Sequence, residues 1–244
     1  MRKMFITTQN YRLFTSRIEK MEMRGAREAG MMLVYGAPGR GKSHIVAHWA
    51  AEVRAAFLRA NVDWTPKYFL VELAKVLHVD ARGTAQQLFE RLLERIVEEQ
   101  KPLVIDEAEF TLHDNAAVLE KIRDISDRAE VTVVLVGMER ILQNIARHKQ
   151  IHSRVAQVVE FEPISLEDVA LACKNLSEVE ITPALTAEVH RLSGGRMREV
   201  LNIIPAIELA AKVNGDSVVD VPDMKDIPLS YDWTQRARKG VKDK

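Results

Sequence analysis

The chain has 244 residues, 47% hydrophobic and 29% charged. These values are those of an ordinary globular protein and exclude a mostly disordered, collagen-like or disulfide-scaffold chain. A single cysteine, Cys173, precludes an intrachain disulfide and fits a reducing compartment. No apolar run approaches the ~20 residues of a membrane span, and no signal-peptide core opens the chain. A soluble intracellular protein with no membrane partner is expected. The 35 basic and 35 acidic residues cancel, which argues against a strongly basic nucleic-acid binder. The charge is uneven, however: residues 1–30 carry seven basic and three acidic side chains, and residues 230–244 carry five and two. Basic ends can still meet phosphate, and repetition in an oligomer would add up weak contacts.

Residues 11–29 show a helical pattern, with Leu13, Phe14, Ile18 and Met21 near one face. Met31 to Tyr35 reads as a buried strand and Lys42 to about Arg54 as a helix. Phe57 to Asn61 is a weak second strand. Thr65 can cap a helix reaching Leu77, with Pro66 in its first turn, and Thr84 can cap another reaching Glu99. Leu103 to Ile105 is a second clear strand, followed by a helix from Asp114 to Ala129. Val131 to Val136 is the third clear strand, Met138 to Arg147 is helical, and Gln157 to Phe161 is a strand. Strands alternating with helices predict an α/β fold with a parallel sheet flanked by helices. After Pro163 the pattern turns to helices alone, over 165–176, 182–192 and 196–213, the first begun by Ser165 and Asp168. This predicts a small C-terminal α-helical lid. The expected organisation is a helical segment (1–30), an α/β domain (31–163), the lid (164–213) and an irregular basic tail (214–244).

Gly36-Ala37-Pro38-Gly39-Arg40-Gly41-Lys42-Ser43 fits the P-loop pattern G-x-x-x-x-G-K-[ST], between an apolar strand and a helix. The glycines let backbone N–H groups turn toward phosphate oxygens, and the helix adds its positive end. Lys42 would reach the β- and γ-phosphates of ATP, and Ser43 would place its hydroxyl on Mg²⁺. The nucleotide-binding stretch is taken to run on through His44. Leu103-Val104-Ile105-Asp106-Glu107 ends an apolar strand in two carboxylates, at the sheet edge where ligands of open α/β folds bind. Asp106 would hold Mg²⁺ and Glu107 would orient the attacking water. Positioning and charge stabilisation are most of what phosphoryl transfer asks of a protein. Arg154, in Ile151-His152-Ser153-Arg154-Val155, could reach a neighbouring subunit's γ-phosphate, with Arg147 as competitor. In Ser193-Gly194-Gly195-Arg196-Met197-Arg198, Arg198 could contact phosphate from the lid, with Arg196 as its rival.

Taken together, GAPGRGKS, LVIDE, the SRV arginine and the GGRMR helix resemble the AAA+ ATPases. Phe5-Ile6-Thr7-Thr8-Gln9-Asn10-Tyr11, Trp49-Ala50, Val136-Gly137-Met138 and Ser153-Arg154-Val155 look like the Mu B transposition ATPases of Mu-like phages. The resemblance covers roughly residues 5–213. It implies ATP bound between subunits and a homo-oligomer, helical filament or ring, on double-stranded DNA without strong sequence preference. Such a protein marks target DNA, activates a transposase and leaves after hydrolysis, in the cytoplasm of a bacterial host. The Thr8–Asn10 segment, with Thr8 and Asn10, would lie against adenine. Relatives often carry a separate helix-turn-helix domain ahead of the ATPase core. Here only about 30 residues precede the P-loop strand, so DNA contacts would come from the core. The usual polar residue ending the third clear strand is replaced by Val136-Gly137-Met138.

By the same resemblance, the lumen contacts to DNA would come from Lys67, Lys75, Arg82 and Thr84. Lys67 and Thr84 lie at helix starts, where backbone N–H groups also meet phosphate. Trp64 would stack or pack. The basic tail, Arg236, Arg238, Lys239, Lys242 and Lys244, would hold DNA or transposase, or only solubilise the end. His44 and His48 have zinc-compatible spacing but no further Cys or His ligands nearby. Cys173, in an apolar stretch, is read as a core residue. A helicase-loader-like AAA+ protein and a nucleotide-dependent protein switch without DNA are the alternative functions. A metabolic P-loop kinase would leave Arg154 and the lid arginines unmotivated.

Overall fold

Five strands carry the larger part of the chain: β1 (Met31–Tyr35), β2 (Ala56–Arg59), β3 (Leu103–Asp106), β4 (Val133–Gly137) and β5 (Val155–Glu160). They form one parallel sheet in the order β2-β3-β4-β1-β5. The side chains of β3 and β4 are buried throughout and those of β1 nearly so, as parallel strands covered on both faces must be. The computed structural model describes residues 1–23, 25, 29–225 and 229. They divide into two units, Asn10–Glu162 and Met1–Gln9 with the chain from Pro163 onward.

In the first unit, alternate strand residues face opposite sides of the sheet. Met31, Leu33, Leu103, Ile105, Val133 and Leu135 share a core with α3 (Pro66–Leu77), α4 (Ala85–Glu99) and α5 (His113–Ala129). The other face is covered by α1 (Gln9–Glu22) and α2 (Lys42–Glu52), where Phe14 and Trp49 pack edge to face at 5.5 Å. The caps form as their residue types dictate. Thr65 accepts a hydrogen bond from the Tyr68 N–H, and Thr84 makes a full capping box with Gln87. Trp64 is buried against Phe69, their rings 5.4 Å apart, so it packs.

Several boundaries differ from the sequence reading. The first helix ends at Glu22 rather than 29, and residues 24 and 26–28 lie outside those described. The second strand is Ala56–Arg59, the fourth starts at Val133, and the fifth starts at Val155 with a bulge against Met31 and Met32. The helix expected over Met138 to Arg147 is the shorter α6 (Ile141–Ala146), and a further helical turn, α7 (Lys149–His152), follows beyond it, after a non-helical His148. A 3₁₀ turn (Ala108–Leu112) precedes α5, and Asp114, Asn115 and Ala116 in its first turn are left-handed.

In the second unit, α8 (Leu166–Leu176), α9 (Pro183–Ser193) and α10 (Met197–Asn214) surround an apolar core that includes Cys173, Val189 and Ile203. Ser165 caps α8 by accepting from the Asp168 N–H at 3.1 Å. The all-helical expectation is corrected here: β6 (Glu180–Ile181) and β7 (Val218–Val219) pair in parallel. Two-residue strands are too short to leave a periodic signal. The tail reading is also corrected near its start, where Asp220 and Asp223 form a capping box on a 3₁₀ turn. The basic tail residues Arg236, Arg238, Lys239, Lys242 and Lys244 fall outside the described residues. No helix among the described residues is long and apolar enough to cross a membrane.

Leu135, fully buried on β4, should cost about 2–5 kcal/mol on replacement by Ala. Thr84→Ala, which removes an exposed cap, should cost about 1 kcal/mol; urea denaturation checks both. Burial pushes the Cys173 thiol up to about 11. As the chain's single cysteine, it should react with a thiol reagent at mildly alkaline pH only as fast as the helical unit opens.

Candidate nucleotide site

The P-loop leaves the C-terminal end of β1 and turns into α2. Gly39 and Gly41 take positive φ (83° and 87°), and Gly41 starts α2 with no side-chain cap. The first-turn N–H groups of α2 are therefore left for an external acceptor. Gly36 meets a second demand: a Cβ there would lie 2.6 Å from the Phe161 carbonyl oxygen, so only glycine lets β1 and the end of β5 approach. Arg40 donates to that same Phe161 carbonyl at 2.6 Å. Ala37 is partly buried and Pro38 exposed along the loop, and His44 is exposed on α2. Lys42 is buried and donates to the carbonyls of Gly36 (2.7 Å) and Ala37 (2.9 Å). Burial holds its ammonium below the ordinary lysine value; the charge of Glu109 is the strongest influence opposing this, and Arg40 reinforces it.

The acids arrive from β3. Ser43 Oγ donates to Asp106 Oδ1 at 3.0 Å, and the Glu107 N–H donates to the same oxygen at 3.0 Å. Glu107 itself is left-handed (φ 54°) at the strand's exit. A buried Asp106 thus lies against the P-loop helix, while the Glu107 side chain stays partly exposed. Two hard oxygen donors, a hydroxyl and a carboxylate, within 3.0 Å of one another suit Mg²⁺.

Arg59 belongs to this cluster and was missed by motif reading. It is the last residue of β2, paired in register with Asp106. Its guanidinium reaches Asp106 at 3.2 Å and Glu107 at 3.8 Å. The sequence signal was a basic residue near the end of an apolar strand, decodable only once β2 is placed beside β3. Glu109, on the 3₁₀ turn after the acids, was missed for the same reason.

Other expected site residues lie as follows. Asn10 clamps the backbone of Glu162, donating to its carbonyl (2.9 Å) and accepting from its N–H (3.1 Å). Thr8 belongs to the helical unit and is buried. Arg154 donates its Nε to both oxygens of Asp127, at 2.9 and 3.0 Å, whereas Arg147 is exposed at the end of α6. Within the helical unit, Arg196 is bound through Nε to the Ser193 carbonyl, and Arg198 is exposed in the first turn of α10. Of the expected DNA contacts, Lys75 pairs with Glu72 at 2.6 Å and Arg82 with Asp80 at 2.8 Å. The Thr84 hydroxyl serves as a cap. Lys67, exposed at the start of α3, has no ion-pair partner among the described residues.

A parallel sheet in this order, with a P-loop after β1 and an acid pair after β3, defines a P-loop nucleotide-binding protein of the AAA+ type. The sequence pattern of the AAA domain family matches residues 24–145, and the chain belongs to that family. Members of the family are generally ATPases. No curated protein matches the chain. Among solved structures it is similar to Cdc6p from Pyrobaculum aerophilum (TM-score 0.65, 16% identity, covering 87% of this chain and 64% of that one). It is also similar to the Aeropyrum pernix ORC2 protein in ADPNP–ADP complexes (0.59, 13%, 88% and 64%). A third similar structure is the Aeropyrum pernix ORC1 protein in complex with DNA (0.60, 15%, 94% and 64%). The chain thus spans 64% of the length of each, and at these identities the likeness is one of fold.

The protonated form of Lys42 is the one that attracts phosphate. Affinity for an ATP analogue should therefore fall with rising pH through a Lys42 value below that of an ordinary lysine. Lys42→Met should bind about 10- to 100-fold more weakly, the loss of a charge-assisted hydrogen bond, and show no alkaline decline. Titration of a fluorescent analogue from neutral pH upward checks both.

Proposed function

We propose that the chain is an ATP-dependent DNA-binding ATPase of the transposition type, resembling the Mu B proteins. It would act in the bacterial cytoplasm and oligomerise on double-stranded DNA when ATP is bound. There it would mark target DNA, activate a transposase, and be released by hydrolysis. The observation that carries the hydrolytic part is the 3.0 Å contact of Ser43 with Asp106, beside Lys42 and Glu107. P-loop amides and Lys42 would hold the phosphates, and Ser43 and Asp106 would hold Mg²⁺. Bound there, the metal neutralises charge on the phosphate oxygens. Glu107 would orient the attacking water once its carboxylate leaves Arg59.

Arg154 is the proposed trans-acting group. Asp127 takes its Nε, which fixes the plane of the guanidinium and leaves Nη2 for a neighbour's γ-phosphate. Arg147 is the control for that assignment. The proposed roles of Arg198 toward phosphate and of Thr8 and Asn10 toward adenine rest on the resemblance. The DNA surface is proposed to centre on Lys67, an exposed cation at a helix start with no ion-pair partner among the described residues. The internally paired Lys75 and Arg82 would have to exchange partners to contribute.

The test is electron microscopy of the protein with duplex DNA, in a slowly hydrolysed ATP analogue and in ADP. Filaments or rings on DNA only with the triphosphate support the reading. Glu107→Gln should stay on DNA in ATP itself, with turnover lowered about 100-fold or more. Preference for single-stranded DNA would instead favour the helicase-loader alternative. Absence of any salt-dependent DNA affinity would favour the protein switch.

A further inference from the structure

The end of β4 beside Lys42 carries no polar side chain of its own. It reads Val136-Gly137-Met138, and the Lys42 ammonium lies 4.0 Å from the Met138 sulfur. A carboxylate from another element fills that gap. Glu109 reaches in from the 3₁₀ turn after the acid pair, and its Oε2 lies 2.8 Å from where a Cβ on Gly137 would stand. The absence of a side chain at Gly137 is what admits it. This Oε2 is buried and has no hydrogen-bond partner among the described residues.

A buried carboxylate oxygen without a donor is costly. The other side chain that a Cβ on Gly137 would meet is the apolar Ile141. The charge of Glu109 does reach the ammonium of Lys42, on which it acts more strongly than Asp106 does. A group so placed belongs to whatever lies beyond the ammonium.

Building on the ATPase reading above, we propose that Glu109 is a second carboxylate of the hydrolytic site. It accepts a hydrogen bond from the water that attacks the γ-phosphate, and Gly137 is the residue that makes room for it. In that reaction the water oxygen bonds to the γ-phosphorus as the bond from phosphorus to the β–γ bridging oxygen breaks. ADP leaves with the electron pair of that bond. The water proton passes to Glu107 and from there to the released phosphate. Glu109 takes no proton in this scheme; it orients the water through its second hydrogen. Two carboxylates bearing on one water fix its lone pair toward phosphorus better than one. The arrangement also has a cost that can be measured, because a negative charge beside the γ-phosphate opposes triphosphate binding while leaving diphosphate binding untouched.

The experiment measures turnover and the affinities for ADP and for a non-hydrolysable ATP analogue in wild type, Glu109→Gln and Glu109→Asp, with thermal melting as a check of folding. Glu109→Gln should lower kcat about tenfold or more. It should also bind the ATP analogue about three- to tenfold more tightly at unchanged ADP affinity. Glu109→Asp keeps the charge and shortens the reach, so it should lose turnover without gaining analogue affinity. Wild-type kcat in Glu109→Gln overturns the proposal while leaving the ATPase reading intact. So does a parallel loss of ADP and analogue binding with lowered melting, which marks a purely structural residue. If the wild type itself binds ATP without turning it over, the hydrolytic reading fails and the water-orienting role falls with it. The analogue-to-ADP ratio in Glu109→Gln then still decides the position: a shift places Glu109 beside the γ-phosphate, and an unchanged ratio removes it.

Discussion

The hydroxyl of Ser43 donates to Asp106, and this one hydrogen bond ties the helix after the P-loop to the strand that carries the acids. The carboxylate is buried, so it must be met by donors on every side it presents. It receives the Ser43 hydroxyl and the Glu107 N–H on one oxygen and Arg59 on the other. Those donors come from α2, from the exit of β3 and from the end of β2. Three neighbouring pieces of chain are therefore aligned by the solvation needs of a single side chain. The left-handed turn at Glu107 follows from the same constraint, since its N–H must point back at Asp106 while the chain turns away into the 3₁₀ segment.

A comparable junction sits at the end of β5. Residues 161 and 162 meet Gly36 by close approach, Arg40 by a hydrogen bond and a longer ion-pair contact, and Asn10 by a two-way amide pairing. The P-loop is thereby braced from the side opposite to Asp106. Asn10, in the segment expected to lie against adenine, gives its amide to the backbone of Glu162. The first helix is consequently a support for the loop as much as a cover for the sheet, through Phe14 against Trp49.

Much of this was legible in the sequence because it is encoded locally. The P-loop glycines, the acid-terminated strand, and the caps Thr65, Thr84 and Ser165 are fixed by residue type and spacing of a few positions. Arg59 and Glu109 were not legible, because their significance depends on strand register: one lies across from Asp106, the other beside Gly137. The two-residue strands escaped for want of length. The basic residues were incompletely legible in a different way. Lys75 has Glu72 three positions back and Arg82 has Asp80 two back, each within ion-pair distance, so a basic letter can already have a partner close by in the sequence. Of the two lysines and one arginine expected to meet DNA, Lys67 has no ion-pair partner among the described residues, and Lys75 and Arg82 each have one.

The lysine of the P-loop has its own partners before any phosphate is considered. Its ammonium is satisfied by the Gly36 and Ala37 carbonyls. A ligand must therefore displace two neutral acceptors, and a monoanion such as chloride or acetate brings a single charge with which to do so. A polyphosphate brings several formal charges to the ammonium and the uncapped helix start at once. The loop thus sets a threshold of charge density on what it will accept. A preference for polyphosphate over small monoanions would follow from the resting hydrogen bonds of one side chain.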